Sequence, residues 1–144
     1  QLFSYQLMPH HYHLVLRPLV DGEMVDAWAG WAERTRRDIM LITTPAVWGM
    51  STNAVKSFPI QDDQHFIVVC RYVERNALRA RLVSRAEDWR WGSLWRWLQS
   101  PEPEPKLLSP WPIPRLPNWV DRVNAPLTDA ELALSGNVFS VADH

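Results

Sequence analysis

The chain has 144 residues, enough for one domain with a core and a tail, and too few for two. With 47% hydrophobic residues, 22% charged residues and a net charge of −1, it is neither a disordered polyelectrolyte nor a globally basic nucleic-acid binder. The single cysteine, Cys70, excludes an internal disulfide framework and fits a reducing cytoplasm, and no apolar run approaches the ~18 residues of a membrane span.

The chain opens at Gln1 and moves straight into an apolar stretch, so an upstream portion is expected to be missing. Leu2 to Met8 alternates loosely and is broken by Pro9, and His11 to Leu16 reads as a second strand with Tyr12, Leu14 and Leu16 on the core face. The two form a hairpin or a strand bent at the proline. Glu23 to about Met40 has helical spacing, with Val25, Trp28, Ala29 and Ala32 on one stripe. Leu41 to Asn53 is expected to be loop, and Lys56 to Gln61 a short edge strand marked by Pro59.

Asp62 or Asp63 can cap a helix from about Gln64 to Leu78, whose apolar stripe is Phe66, Val69, Cys70 and Val73. Ala80 to Val83 continues or restarts it, and Ser84 to Gln99 follows with four tryptophans. Residues 101–117 hold seven prolines and are expected as extended linker. Thr128-Asp129-Ala130-Glu131 resembles the start of one more short helix. The domain boundaries are therefore 1–100 for a compact body and 101–144 for a Pro-rich linker and tail.

Three constellations carry chemistry. In a strand, alternate side chains leave on one face, so His11 and His13 point together with Cα atoms ~6.5–7 Å apart and can grip a divalent cation. Taken alone, the motif is better explained by a chance pair among five histidines. Tyr72 and Asn76 lie four apart on the expected helix, with Arg79 further along the same stripe. A positioned phenol can attack phosphorus, and a carboxamide one turn away can complete a metal site, although a half-buried aromatic and a helix cap would show the same spacing. Finally, Arg71, Arg75, Arg79, Arg81 and Arg85 precede Trp89, Trp91, Trp95 and Trp97. Guanidinium groups neutralise phosphates and aromatic faces stack on unpaired bases, while a solvated helix face over an aromatic core is the plainer alternative. His10 reads as a solvated turn residue and Cys70 as core.

In order, Met8-Pro-His-His-Tyr-His-Leu-Val-Leu16, Phe58-Pro-Ile-Gln-Asp-Asp63, Arg71-Tyr-Val-Glu-Arg-Asn-Ala-Leu-Arg-Ala-Arg-Leu-Val83 and Glu87-Asp-Trp-Arg-Trp-Gly-Ser93 resemble the REP-associated tyrosine transposases of the single-tyrosine HUH superfamily, over roughly residues 3–98. The resemblance implies an α+β, ferredoxin-like antiparallel sheet with packed helices, here lacking the first strand and helix and so leaving an exposed sheet edge. It implies Tyr72 as nucleophile and His11, His13 and Asn76 as ligands of Mg²⁺ or Mn²⁺. Arg71, Arg75, Arg79 and Lys56 would hold the partner, single-stranded DNA beside REP-like hairpins. The implied activity is cutting and rejoining that DNA through a covalent phosphotyrosine in transposition, by a monomer or a homodimer. The alternatives are a non-catalytic hairpin-DNA binder or relic, and a metal-dependent hydrolase unrelated to DNA. The departures are specific. The family's Met-Pro-Asn-His is Met8-Pro9-His10-His11 here, its Asn-Pro is Asn76-Ala77, and its Trp-Ser-Ser is Trp91-Gly92-Ser93. Its Trp-Gln-Gly-Arg-Phe-like block is replaced by residues 47–55.

Overall fold

A computed structural model describes residues 1–18, 39–45 and 56–135, with only the backbone described at 40, 42, 44, 45, 56, 57 and 135. Four strands, β1 (Leu2–Leu7), β2 (His11–Leu16), β3 (Met40–Pro45) and β4 (Lys56–Pro59), form one antiparallel sheet in the order β1-β2-β3-β4. The helices are α1 (Asp63–Arg79), α2 (Ser93–Leu98), α3 (Trp119–Asn124) and α4 (Asp129–Ser135), with a 3₁₀ turn at Ala86–Asp88 before α2. The class is α+β. The helix expected from Glu23 and the replaced block at 47–55 lie outside the described residues.

The β1–β2 hairpin turns through Met8-Pro9-His10, where the Met8 amide donates to the His11 carbonyl at 2.8 Å. β3 corrects the expectation of loop over residues 41–45. Ile42, Thr43 and Thr44 are β-branched and pair with Leu14, His13 and Tyr12 of β2, so strand packing wins over the turn-like composition. The buried face of β2 is also the reverse of the one expected. His13 and Val15 are fully buried, whereas Tyr12, Leu14 and Leu16 are only partly so. Strict alternation makes this an all-or-none choice, and α1 covers the histidine face.

α1 starts where Asp62 accepts the His65 amide at 2.7 Å, satisfying a free first-turn donor. It runs past Asn76-Ala77, where a proline would have interfered, and stops as Arg81 takes a left-handed φ of 59° and the Leu82 amide returns to the Ala77 carbonyl at 3.0 Å. Its stripe of Phe66, Val69, Cys70 and Val73 joins Phe3, Val15 and Leu41 of the sheet in the core. Cys70 is fully buried, and burial pushes its thiol well up, as befits a core residue.

The opposite side of α1 is covered by residues beyond 100, which are not free linker or tail. Trp119 and Val123 are core residues, and Trp111, Ile113, Leu116, Val120 and Leu127 pack against them. This segment and residues 89–92 also line the outer edge of β1. Ser109 donates its amide to the Leu2 carbonyl at 2.8 Å, Trp111 its indole to Phe3 at 2.9 Å, and Trp89 its indole to Leu7 at 2.9 Å. Gly92 forms a bridge with Gln6, and the Leu7 amide donates to the Trp91 carbonyl at 2.9 Å. The exposed edge expected beside β1 is therefore closed by these donors and acceptors.

Candidate active site

The site is built where the histidine face of β2 meets the middle of α1. His11 and His13 leave the same face, their rings edge-on with centroids 4.8 Å apart. Their partner across the interface is Asn76, whose carboxamide nitrogen lies 2.5 Å from His13 Nε2. His13 Nδ1 lies 2.9 Å from Thr43 Oγ1 on β3. In the tautomer whose Nδ1 donates to that hydroxyl, Nε2 keeps its lone pair and faces Asn76.

Burial, helped by the neighbouring His11 ring, pushes the His13 imidazole down to about 3, and burial with a smaller contribution from His10 also lowers His11. Both rings are therefore neutral at ordinary pH, the form that can donate electron pairs to a cation. His11 Nε2 is buried and makes no hydrogen bond among the described residues. Rotating the Asn76 carboxamide by half a turn would place its oxygen beside His13 Nε2. Neutral imidazole nitrogens and a carboxamide oxygen are donor types that a divalent cation can take. Among the described residues no group of three or more His, Cys, Asp or Glu could hold a metal ion.

Tyr72 lies one turn before Asn76. Its ring is edge-on to His13 with centroids 5.8 Å apart, and the Arg79 guanidinium carbon sits 5.9 Å from the Tyr72 ring centroid. Tyr72 is nevertheless only 3% exposed, so its phenol is closed to a polymeric substrate in this conformation.

The other basic residues are placed differently from the sequence expectation. Arg71 donates Nε to the Arg122 carbonyl at 2.6 Å and Nη2 to the carbonyls of Ala125 and Pro126, both at 2.9 Å, and pairs with Glu131. Arg75 donates Nη1 to the carbonyls of Val123 and Asn124 at 3.1 and 2.5 Å. Both guanidinium groups point to α3 and α4 because the helix face that carries them is the one the C-terminal segment covers. Lys56 begins β4, with its side chain outside the described ones. His10 is exposed at the hairpin turn, and His65 caps rather than ligates, its Nδ1 accepting the Gln61 amide at 3.1 Å. Of the tryptophans after Arg85, Trp91 and Trp97 are exposed, whereas the buried one is Trp119.

Two residues were missed by sequence reasoning. Thr43 fell in an expected loop. Glu74, fully buried between Tyr72 and Asn76, accepts from Ser93 at 2.7 Å and Trp119 at 2.8 Å, with Ser4 at 3.4 Å and Arg115 at 3.8 Å. Burial pushes its carboxyl up against the opposing pull of Arg115 and these donors. A carboxylate four residues after Cys70, on the apolar stripe, was the available signal. No protein-family model, curated protein or solved structure matches this chain.

Proposed function

We propose that this chain is a DNA strand-transfer enzyme of the single-tyrosine HUH kind, acting on single-stranded DNA beside hairpins of the REP-like class. The observation that carries the reading is the convergence of His11, His13 and Asn76, with the Tyr72 ring 5.8 Å from His13. In this reading the phenol oxygen of Tyr72 attacks a phosphodiester, an oxygen–phosphorus bond forms, and the bond to the 3′ oxygen breaks. The phenol gives up a proton and the leaving 3′ oxygen takes one up. Attack by that hydroxyl on the phosphotyrosine reverses the step and rejoins the strand. His11, His13 and Asn76 hold Mg²⁺ or Mn²⁺, which when bound supplies Lewis-acid polarisation of the scissile phosphate. Arg79, over the Tyr72 ring, is the cation best placed to meet the phosphate.

The fold reading that accompanies this is a ferredoxin-like sheet lacking its first strand and helix. It is supported by the antiparallel sheet with α1 against the histidine face, and it must accommodate the simple β1-β2-β3-β4 order. A cytoplasmic location is part of the proposal. It is supported by the lone buried thiol and by the finding that no described helix is long and apolar enough to cross a membrane. Assembly is left as monomer or homodimer.

A second reading is favoured by the burial of Tyr72, which suits a protein that binds hairpin or single-stranded DNA without cutting it. One experiment separates the two. Incubation with hairpin-flanked single-stranded DNA and Mn²⁺ or Mg²⁺ should give a denaturation-resistant adduct that Tyr72→Phe abolishes. Binding with no adduct supports the second reading, and neither adduct nor binding refutes both.

A further inference from the structure

Arg90 and Trp91 put a cation and an indole on the surface where nothing in the proposed chemistry uses them. Trp91 is the most exposed of the large apolar residues described, at 54%, and Leu7 beside it is 43% exposed. The Arg90 guanidinium carbon lies 5.3 Å from the Trp91 ring centroid. Among the described residues Arg90 makes no hydrogen bond and no ion pair, although Asp88 is exposed two positions away. Arg71 and Arg75, by contrast, are engaged by main-chain carbonyls.

The backbone beneath this pair is fixed. The Leu7 amide donates to the Trp91 carbonyl at 2.9 Å, the Leu7 carbonyl accepts the Trp89 indole at 2.9 Å, and Gly92 bridges Gln6. The side chains of Arg90 and Trp91 take no part in these bonds. Their place on the sheet matters as much. Leu7 bonds outward to Trp91, whereas its neighbour Met8 donates inward to the His11 carbonyl at 2.8 Å. Gln6 likewise has Gly92 on one side and His13 on the other. Residues 91 and 92 thus lie two strand spacings, about 10 Å, from the strand that carries the histidines.

An unpaired guanidinium beside an exposed indole suits a partner that offers negative charge and flat apolar faces together. Single-stranded DNA offers both in every nucleotide: the phosphate meets Arg90, and the unpaired base stacks on Trp91. A duplex offers its phosphates but keeps its base faces covered. We infer that Arg90 and Trp91 form a docking point for an unpaired nucleotide that flanks the histidine site. This rests on the reading, shared by both proposals above, that the protein binds single-stranded DNA. It adds the path of the strand, from the histidines across the end of the β1–β2 hairpin to the indole.

The test titrates the full chain against fluorescein-labelled oligo(dT) of about 16 nucleotides and a blunt duplex of the same length, by fluorescence anisotropy at several salt concentrations. Trp91→Ala should weaken oligo(dT) binding about tenfold, with the salt slope and the duplex affinity unchanged. Trp91→Phe, which keeps a stacking face, should retain most of the affinity. Arg90→Gln should reduce the salt slope on oligo(dT) by about 0.7. Neither side chain holds the fold by a hydrogen bond, so circular dichroism should match the parent chain. Unchanged oligo(dT) binding in Trp91→Ala, an equal loss on the duplex, or poly-glutamate binding with the same dependence on Trp91 overturns the inference. If the parent forms the DNA adduct while Trp91→Ala binds oligo(dT) as the parent does, strand transfer stands and this docking point falls. A tenfold loss in Trp91→Ala with no adduct from the parent does the reverse. A parent chain that binds no single-stranded DNA refutes both.

Discussion

Truncating Trp119 to alanine should come close to unfolding this protein, although residue 119 lies beyond a proline-rich stretch that reads as linker. Trp119 is 3% exposed, is edge-on to Trp111 with centroids 5.1 Å apart, and donates its indole N–H to Glu74 at 2.8 Å. Removing a buried aromatic of this size costs about 3–5 kcal/mol through lost transfer energy and the cavity left behind. Depriving a buried carboxyl of one donor adds roughly 1–3 kcal/mol, not strictly additively. Against a total of about 5–15 kcal/mol for a domain, that is a large share. With a urea slope of about 2 kcal/mol per molar, the midpoint should fall by about 2 M. Trp119→Phe, which keeps a six-membered ring but loses the donor and part of the indole volume, should fall by roughly half as much. Urea titration followed by far-ultraviolet circular dichroism measures both. A chain ending at residue 100 that unfolds at the full-length midpoint, or a Trp119→Ala midpoint shift below about 0.3 M, would refute the claim that α3 belongs to the core.

Other consequences are as specific. An added Cβ at Gly92 would come within 2.3 Å of Oε1 at the end of the buried Gln6 side chain, which must shift, so Gly92→Ala should lower stability by about 1 kcal/mol in the same titration. Arg71→Ala should cost roughly 2 kcal/mol of stability by leaving the carbonyls of Arg122, Ala125 and Pro126 without their donor, and should leave the salt dependence of DNA binding unchanged. Burial holds His65 below its ordinary 6.5, against an upward pull from Asp62. Its unfolded form therefore takes up the proton first: its contribution to stability is complete above pH 6.5 and declines as pH falls below that value. Chemical denaturation of His65→Gln should accordingly show a shallower loss on acidification than the parent chain.

The pairing of residues two apart on a strand and four apart on a helix was legible because backbone geometry alone dictates it. His11 with His13, and Tyr72 with Asn76, share faces as those periods require. Which face of β2 met the helix was not legible. Both alternating sets offer bulky groups, and only the position of α1 decides between them. The β-branched run at 42–44 was masked by Thr-Thr-Pro, which mimics a turn. Arg71 and Arg75 illustrate a deeper difficulty. Their spacing makes a basic stripe, but whether such a stripe meets phosphates or main-chain carbonyls depends on contacts about fifty residues away in sequence, which no local pattern encodes. Glu74 was recoverable in principle, as a charge interrupting an apolar stripe.

The donors and acceptors along the outer side of β1 bear on how this protein meets copies of itself. A strand with open amides and carbonyls invites a neighbouring chain to zip on, and that route to sheet-to-sheet stacking is shut here by Trp89, Gly92, Ser109 and Trp111. The opposite border, β4, is four residues long and ends at Pro59, which has no amide hydrogen to offer. Among the described residues both rims of the sheet are thus poor templates for fibril growth, and peeling away the C-terminal segment should raise the tendency to aggregate.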